Sequence, residues 1–257
     1  MWRLLRISIL VLILATVALS SWRASSRASA WDGTLYVAIY PINADGQART
    51  GEYIATLDHD DFDIMQTWFD EQARSYGVEL FRPIQVRLSE PVDSLPPSPP
   101  EQGNAIENAL WSLKLRYWAW QNGDTDGPAP DIRLFALYHA PGAERLAHSI
   151  GLRKGMLGVT NLFATRHAHG SNTVVLIHEL MHTLGATDKY DPGTLQPVFP
   201  DGFAAPEYRQ RYPQHQAEIM GGRIPLTESS SDIPKHLMHT MVGPKTAMEI
   251  GWRSAAP

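Results

Sequence analysis

The stretch "HELMHTLGATDKYD", His178 to Asp191, sets two histidines four residues apart, a glutamate beside the first and a glycine three residues after the second. Four residues turn a helix by about 400°, so His178 and His182 project from nearly one face, one turn apart. Glu179 is offset by only about 100° and borders that face. The preceding "SNTVVLI" continues the helical period, with Val174, Ile177, Met181 and Leu184 on a second, apolar face. Ser171 or Asn172 is a suitable N-cap, and Gly185 a suitable stop. The predicted helix is therefore greasy on one side and carries two imidazoles and a carboxylate on the other.

That arrangement suits a metal. Both ring nitrogens can reach one ion, and a catalytic zinc takes three protein ligands plus an open position for water. Two histidines leave one ligand to find. Glycine tolerates positive φ, so the chain can turn sharply at Gly185 and bring Asp188 back as the third ligand. Zinc lowers the pKa of a bound water from about 15.7 to near 7. Glu179, beside that water and not a ligand, is placed to take its proton. The rival third ligand is a downstream glutamate, Glu207 or Glu218, an arrangement in which Gly185 has no purpose.

The segment resembles the metzincin zinc peptidases, whose signature is H-E-x-x-H-x-x-G-x-x-H. It departs at the last position, where Asp188 stands for histidine. Aspartate there is similar to the snapalysin-like and immune-inhibitor-A-like bacterial peptidases, which also carry a tyrosine two positions on, as Tyr190 does here. The resemblance implies a methionine turn beneath the metal ligands. "AEIMGG" (Ala217 to Gly222) supplies a matching segment, with Met220 before two glycines. It also implies a short C-terminal helix, for which "GPKTAMEIGW" is suited. The implied fold is an α+β, metzincin-like zincin: a mixed twisted sheet, an active-site helix, the methionine turn and that last helix. In outline the likeness covers residues 34 to 252, but in motif only 178–190 and 217–222. Tyr190 is open to two readings, a hydrogen bond to an oxyanion or a ligand, or packing under the turn.

Upstream, "TLYVAIYPI" (34–42), "IQVRL" (84–88), "DIRLFALYH" (131–139) and "MLGVTNLFA" (156–164) read as strands, the last near an edge. "DHDDFDIMQTWFDEQARSYG" (58–77) reads as a helix with Phe62, Met65, Phe69, Ala73 and Tyr76 inward and Gly77 at its end. "AIENALWSLKLRYWAWQ" is a second helix, with Ile106, Leu110, Leu113, Tyr117 and Trp120 in line; aromatic residues at helical spacing are normally core. The proline-rich "EPVDSLPPSPPEQGN" between them is a surface loop rather than a linker. His167 and His169 precede the metal helix and can line a cleft. His215, His236 and His239 read as exposed or hydrogen-bonded.

The ends and the charge bound the function. "MWRLLR" followed by the 13-residue apolar run Ile7 to Leu19 has the form of an export signal. Cleavage after Ala30, cleavage after Ser20 and a retained membrane anchor are all open. The division expected is 1–30 as signal peptide or anchor and 31–257 as a single metallopeptidase domain, placed outside the cytoplasm: secreted, periplasmic or anchored facing outward, with possible inner-membrane association. The first 30 residues hold four arginines and no acidic residue, which leaves 18 basic and 27 acidic side chains in the body. A body at -9 has no electrostatic footprint for nucleic acid. Cysteine is absent, which removes disulfides, thiolate ligands and a cysteine nucleophile. The expected activity is zinc-dependent hydrolysis of peptide bonds in extracytoplasmic proteins or peptides. The alternatives are a zinc-containing binding module without catalysis and a zinc hydrolase of a non-peptide amide.

Overall fold

The computed structural model describes residues 2, 6 and 30–252, apart from 101–102, 124–127, 143–149 and 153–155. The expected leader over residues 1–30 thus lies outside the described residues, save for 2, 6 and 30. Among the described residues no helix is long and apolar enough to cross a membrane.

The molecule is built on a five-stranded sheet. Strand β1 (Leu35–Asn43) sits between β2 (Ile84–Leu88) and β3 (Ile132–His139), and β5 (Leu157–Phe163) follows β3. These four run parallel, and β4 (Ile150–Leu152) closes the edge antiparallel to β5. The chain is thus mixed α/β with a parallel core sheet, compatible with the α+β class expected. The short strand β4 had no sequence signal of its own. β1 is a near-continuous apolar run because helices cover both of its sides. Val37 and Ile39 face one side; Ala38, Tyr40 and Ile42 face the other.

Against the Val37 and Ile39 face lie α2 (Asp63–Ser75) and α4 (His169–Leu184), following a short α1 (Ala48–Ile54). A 3₁₀ turn, Asp60–Phe62, leads into α2. Its entry is fixed by a reciprocal pair: Asp58 Oδ1 accepts from the Asp61 amide, and Asp61 Oδ2 from that of Asp58. Phe62, Met65, Phe69 and Ala73 are buried as the periodicity predicts, and Gly77 takes up φ +79° just beyond. Trp31 packs on Phe69 and Trp252, and its Nε1 donates to the Ile250 carbonyl at 2.7 Å. The start of the body is thereby tied to its end.

Helix α3 (Ala105–Asn122) covers the other face and corrects an expectation. The row Ile106, Leu110, Leu113, Tyr117 and Trp120 is not core; it faces solvent. The buried residues are Leu115 and Ala119, flanked by half-buried Trp111 and Trp118. This helix carries two apolar stripes, and periodicity alone could not say which one meets the sheet. The two indoles decide it. Trp111 Nε1 donates to Pro97 O and Trp118 Nε1 to Ser94 Oγ, which pins the proline-rich loop along the helix. Asn104 and Glu107 form a capping box at its start.

A second correction concerns the start of α4. Neither Ser171 nor Asn172 is its N-cap: a 3₁₀ turn over Arg166–Ala168 precedes the helix, which begins at His169. Asn172 is buried instead and grips β5, accepting from the Phe163 amide and donating to the Phe163 carbonyl. After α4 the chain is mostly irregular, with two-residue strands β6 (Ala217–Glu218), β7 (Ile224–Pro225), β8 (Ser231–Asp232) and β9 (Thr240–Met241), then α5 (Pro244–Glu249) where a short last helix was expected.

Candidate metal centre

α4 ends in a Schellman motif. The Gly185 amide bonds His182 O, the Ala186 amide bonds Met181 O at 3.0 Å, and Gly185 sits at φ +114°. A side chain there would be strained, which is why glycine occupies the position. The turn has a second effect. It folds the Ala186 carbonyl back to within 2.9 Å of His182 Nδ1. His178 Nδ1 likewise meets the Ile219 carbonyl at 2.9 Å. A carbonyl can only accept, so both Nδ1 atoms carry the proton and both Nε2 atoms present lone pairs.

Those two Nε2 atoms converge on Asp188 Oδ1, at 3.1 Å from each. The ligand atoms of His178, Glu179 and His182 all lie within 4.8 Å of one another. In these tautomers three acceptors point at one another with no hydrogen between them. Only a cation, whether a proton or a metal ion, makes that arrangement favourable. The donor set, two imidazoles and one carboxylate, suits zinc. The residues present therefore fit the expected ion.

The electrostatics agree with the geometry. Burial works against the charged form of His178, but Asp188, Glu179 and the Ile219 carbonyl outweigh it and raise its pKa. Burial would lift Asp188, yet the two histidines hold it well below the usual carboxylate range. Glu179 is 4% exposed, and burial pushes its carboxyl up against the pull of His178 and His182. Its Oε2 is buried without a hydrogen-bond partner among the described residues. Unpaired buried oxygens are uncommon. Tyr190 stands with its ring 6.2 Å from that of His178. Burial and the adjacent Asp188 carboxylate push its hydroxyl up to about 12, so it is a neutral donor at ordinary pH.

Asp188 is held from both sides. The Thr187 amide and Oγ1 donate to Glu249 on α5, and Lys189 Nζ donates to Glu249 Oε2 at 2.7 Å and to Thr187 O. The Lys189 amide also donates to Met220 O at 2.9 Å. This clamp was not foreseen, because nothing in the local sequence connects Glu249 to a loop about 60 residues earlier.

The methionine segment lies directly beneath. Met220 is fully buried, and Gly222 takes up φ +70°. Glu218 organises it: Oε2 accepts from the Met220 and Gly221 amides, Oε1 from the Gly243 amide and Thr246 Oγ1. The rival third-ligand reading fails here for Glu218, whose two oxygens are engaged by four donors. Glu207 is exposed, and among the described residues it makes no ion-pair contact with His178 or His182 of the kind Asp188 makes. Burial raises the Glu218 carboxyl, against those donors, which favour its anion. Glu218→Gln replaces one accepting oxygen by a donor facing two donors. We expect it to cost about 2–5 kcal/mol of stability, read as a lowered thermal midpoint.

Of the other histidines, His169 Nε2 bonds Asp61 O, while His167, His215, His236 and His239 are exposed. None of them joins the metal group. No protein-family model matches this chain, and no curated protein matches its sequence.

Proposed function

We propose that the chain is a zinc-dependent metallopeptidase of metzincin-like architecture, acting outside the cytoplasm. The observation that carries this reading is the convergence of His178 Nε2, His182 Nε2 and Asp188 Oδ1 beside a buried carboxylate oxygen of Glu179 that has no hydrogen-bond partner among the described residues. A purely structural zinc site closes with four protein ligands and has no use for such a base. His178, His182 and Asp188 would hold the ion. When bound, zinc supplies Lewis-acid polarisation and an acidified water at neutral pH.

The protein's own residues do the rest. Ile219 O and Ala186 O fix both imidazole rings in the tautomer that offers Nε2, the role of the outer layer of partners in such sites. Glu179 takes the proton of the attacking water and returns it to the leaving amine. Its burial keeps that carboxylate out of bulk water and places its oxygen to take up a proton. Tyr190, neutral at ordinary pH with the Asp188 carboxylate adjacent, would serve as a donor at this edge of the site.

Two measurements test this reading. Elemental analysis of the purified protein should find about one zinc per chain, and a broad peptide library should be cleaved in a chelator-sensitive manner. A wild type that holds zinc but cleaves nothing in the library would support the binding module instead. Location is tested separately: a C-terminal reporter active only in the cytoplasm should stay silent, and a strong signal from it would overturn export.

A further inference from the structure

Helix α3 presents solvent with an apolar row whose residues are 51–74% exposed: Ile106, Leu110, Leu113, Tyr117 and Trp120. Their spacing is 4-3-4-3. This is the alternation of a coiled-coil seam, and it persists over two heptads. An exposed apolar row of this length marks an interaction surface rather than the scattered apolar residues of an ordinary exterior. The charges beside it are Glu107 and Lys114, seven residues apart on the same flank. Neither has an ion-pair partner in its own chain among the described residues.

We propose that this row is the seam of a two-fold homodimer, in which α3 of one copy packs antiparallel on α3 of a second. Self-complementarity supports this occupant. If Leu110 faces the second copy's Leu113, Ile106 faces its Tyr117. Lys114 then stands beside the other copy's Glu107, and the two-fold axis makes the pair twice. A lipid surface is less well matched. Interfacial helices carry a lysine- and arginine-rich polar face, whereas α3 has only Glu107, Lys114 and Arg116 as charges, on a body at -9. The helix is already ordered by Leu115, Ala119, Trp111 and Trp118 against the sheet, so association does not have to fold it. Two heptads are a short seam next to a standard interface of about 1,600 Å², which sets the expected dissociation constant in the micromolar range. α3 and α4 lie on opposite faces of the sheet, so pairing leaves both metal centres uncovered. The inference does not depend on the activity of those centres.

The test uses the full chain in mild detergent, with sedimentation to measure its mass over a concentration series. Wild type should pass from monomer to dimer, and Leu113→Asp should raise the dissociation constant by at least about 30-fold. Lys114→Glu places like charges together and should raise it about 3–10-fold. Adding Glu107→Gln, which keeps the capping box but removes the opposing charge, should recover most of that loss. Because the chain has no cysteine, mixing Leu110→Cys with Leu113→Cys chains under a mild oxidant should give a cross-linked pair, while an Asn108→Cys control gives none. A wild type that stays monomeric through the micromolar range overturns the proposal. So does a monomer that binds phosphatidylcholine vesicles through the same row, which would make the surface a lipid contact.

Discussion

Glu179→Gln is expected to lower peptide hydrolysis by at least about 10²–10⁴-fold and to leave the zinc content unchanged. The substitution keeps the size and shape of a side chain that is almost fully buried, and it removes only the ability to accept a proton. The thermal midpoint should stay close to wild type, because Oε2 makes no hydrogen bond among the described residues that an amide would break. The pH profile offers a second readout. The working form is the carboxylate, so activity should fall as pH drops through the Glu179 pKa. In the metal-free site burial raises that pKa against the pull of His178 and His182, and a bound dication would add to that pull. The limb reports the coupled site as a whole, since histidines and carboxylates share it. A Glu179→Gln protein that cleaves as fast as wild type would sink the base assignment.

Asp188→Ala is expected to weaken zinc binding by more than the roughly 10–100-fold typical of losing a group that only supports a ligand. Its carboxylate oxygen stands 3.1 Å from both imidazole Nε2 atoms, and the side chain is 42% exposed, so removal leaves little cavity. The fold should survive, read as an unchanged far-ultraviolet spectrum, while dialysed protein loses its metal. The sign of the pH effect follows from the same contacts. The metal-free His178 pKa lies above its ordinary 6.5, and a protonated imidazole cannot ligate. Zinc affinity should therefore fall as pH drops through that raised value, and do so at a higher pH than for an unperturbed histidine. Full zinc retention by Asp188→Ala, with loss in Glu207→Ala, would return the third ligand to a downstream glutamate.

The local parts of this site were legible because local chemistry encodes them. Two histidines at a four-residue interval must share a helix face, and a glycine at φ +114° is the ordinary way to end that helix and reverse the chain. Strands β1, β2, β3 and β5 were readable for a similar reason: β-branched and aromatic runs bounded by turn residues need no distant partner to announce themselves. Asp188, three residues past the glycine, lay within reach of that turn.

Longer-range partners were not legible. The carbonyl that orients His178 comes from Ile219, 41 residues on, and the carboxylate that holds the loop on both sides of Asp188 comes from Glu249. Glu218 looked like a rival ligand until the fold surrounded it with four donors. In α3 both stripes had helical spacing, and the sheet accepted Leu115 and Ala119 while leaving Ile106, Leu113 and Trp120 outside. The sequence by itself therefore determined which side chains share a turn, where α4 stops and where the strands run, because backbone geometry acts over a few residues. Only the tertiary structure decided which apolar face is core, which carboxylate stands against the histidines and which ring nitrogen keeps its proton. Those outcomes depend on groups brought together from distant parts of the chain, and no periodicity records such a meeting.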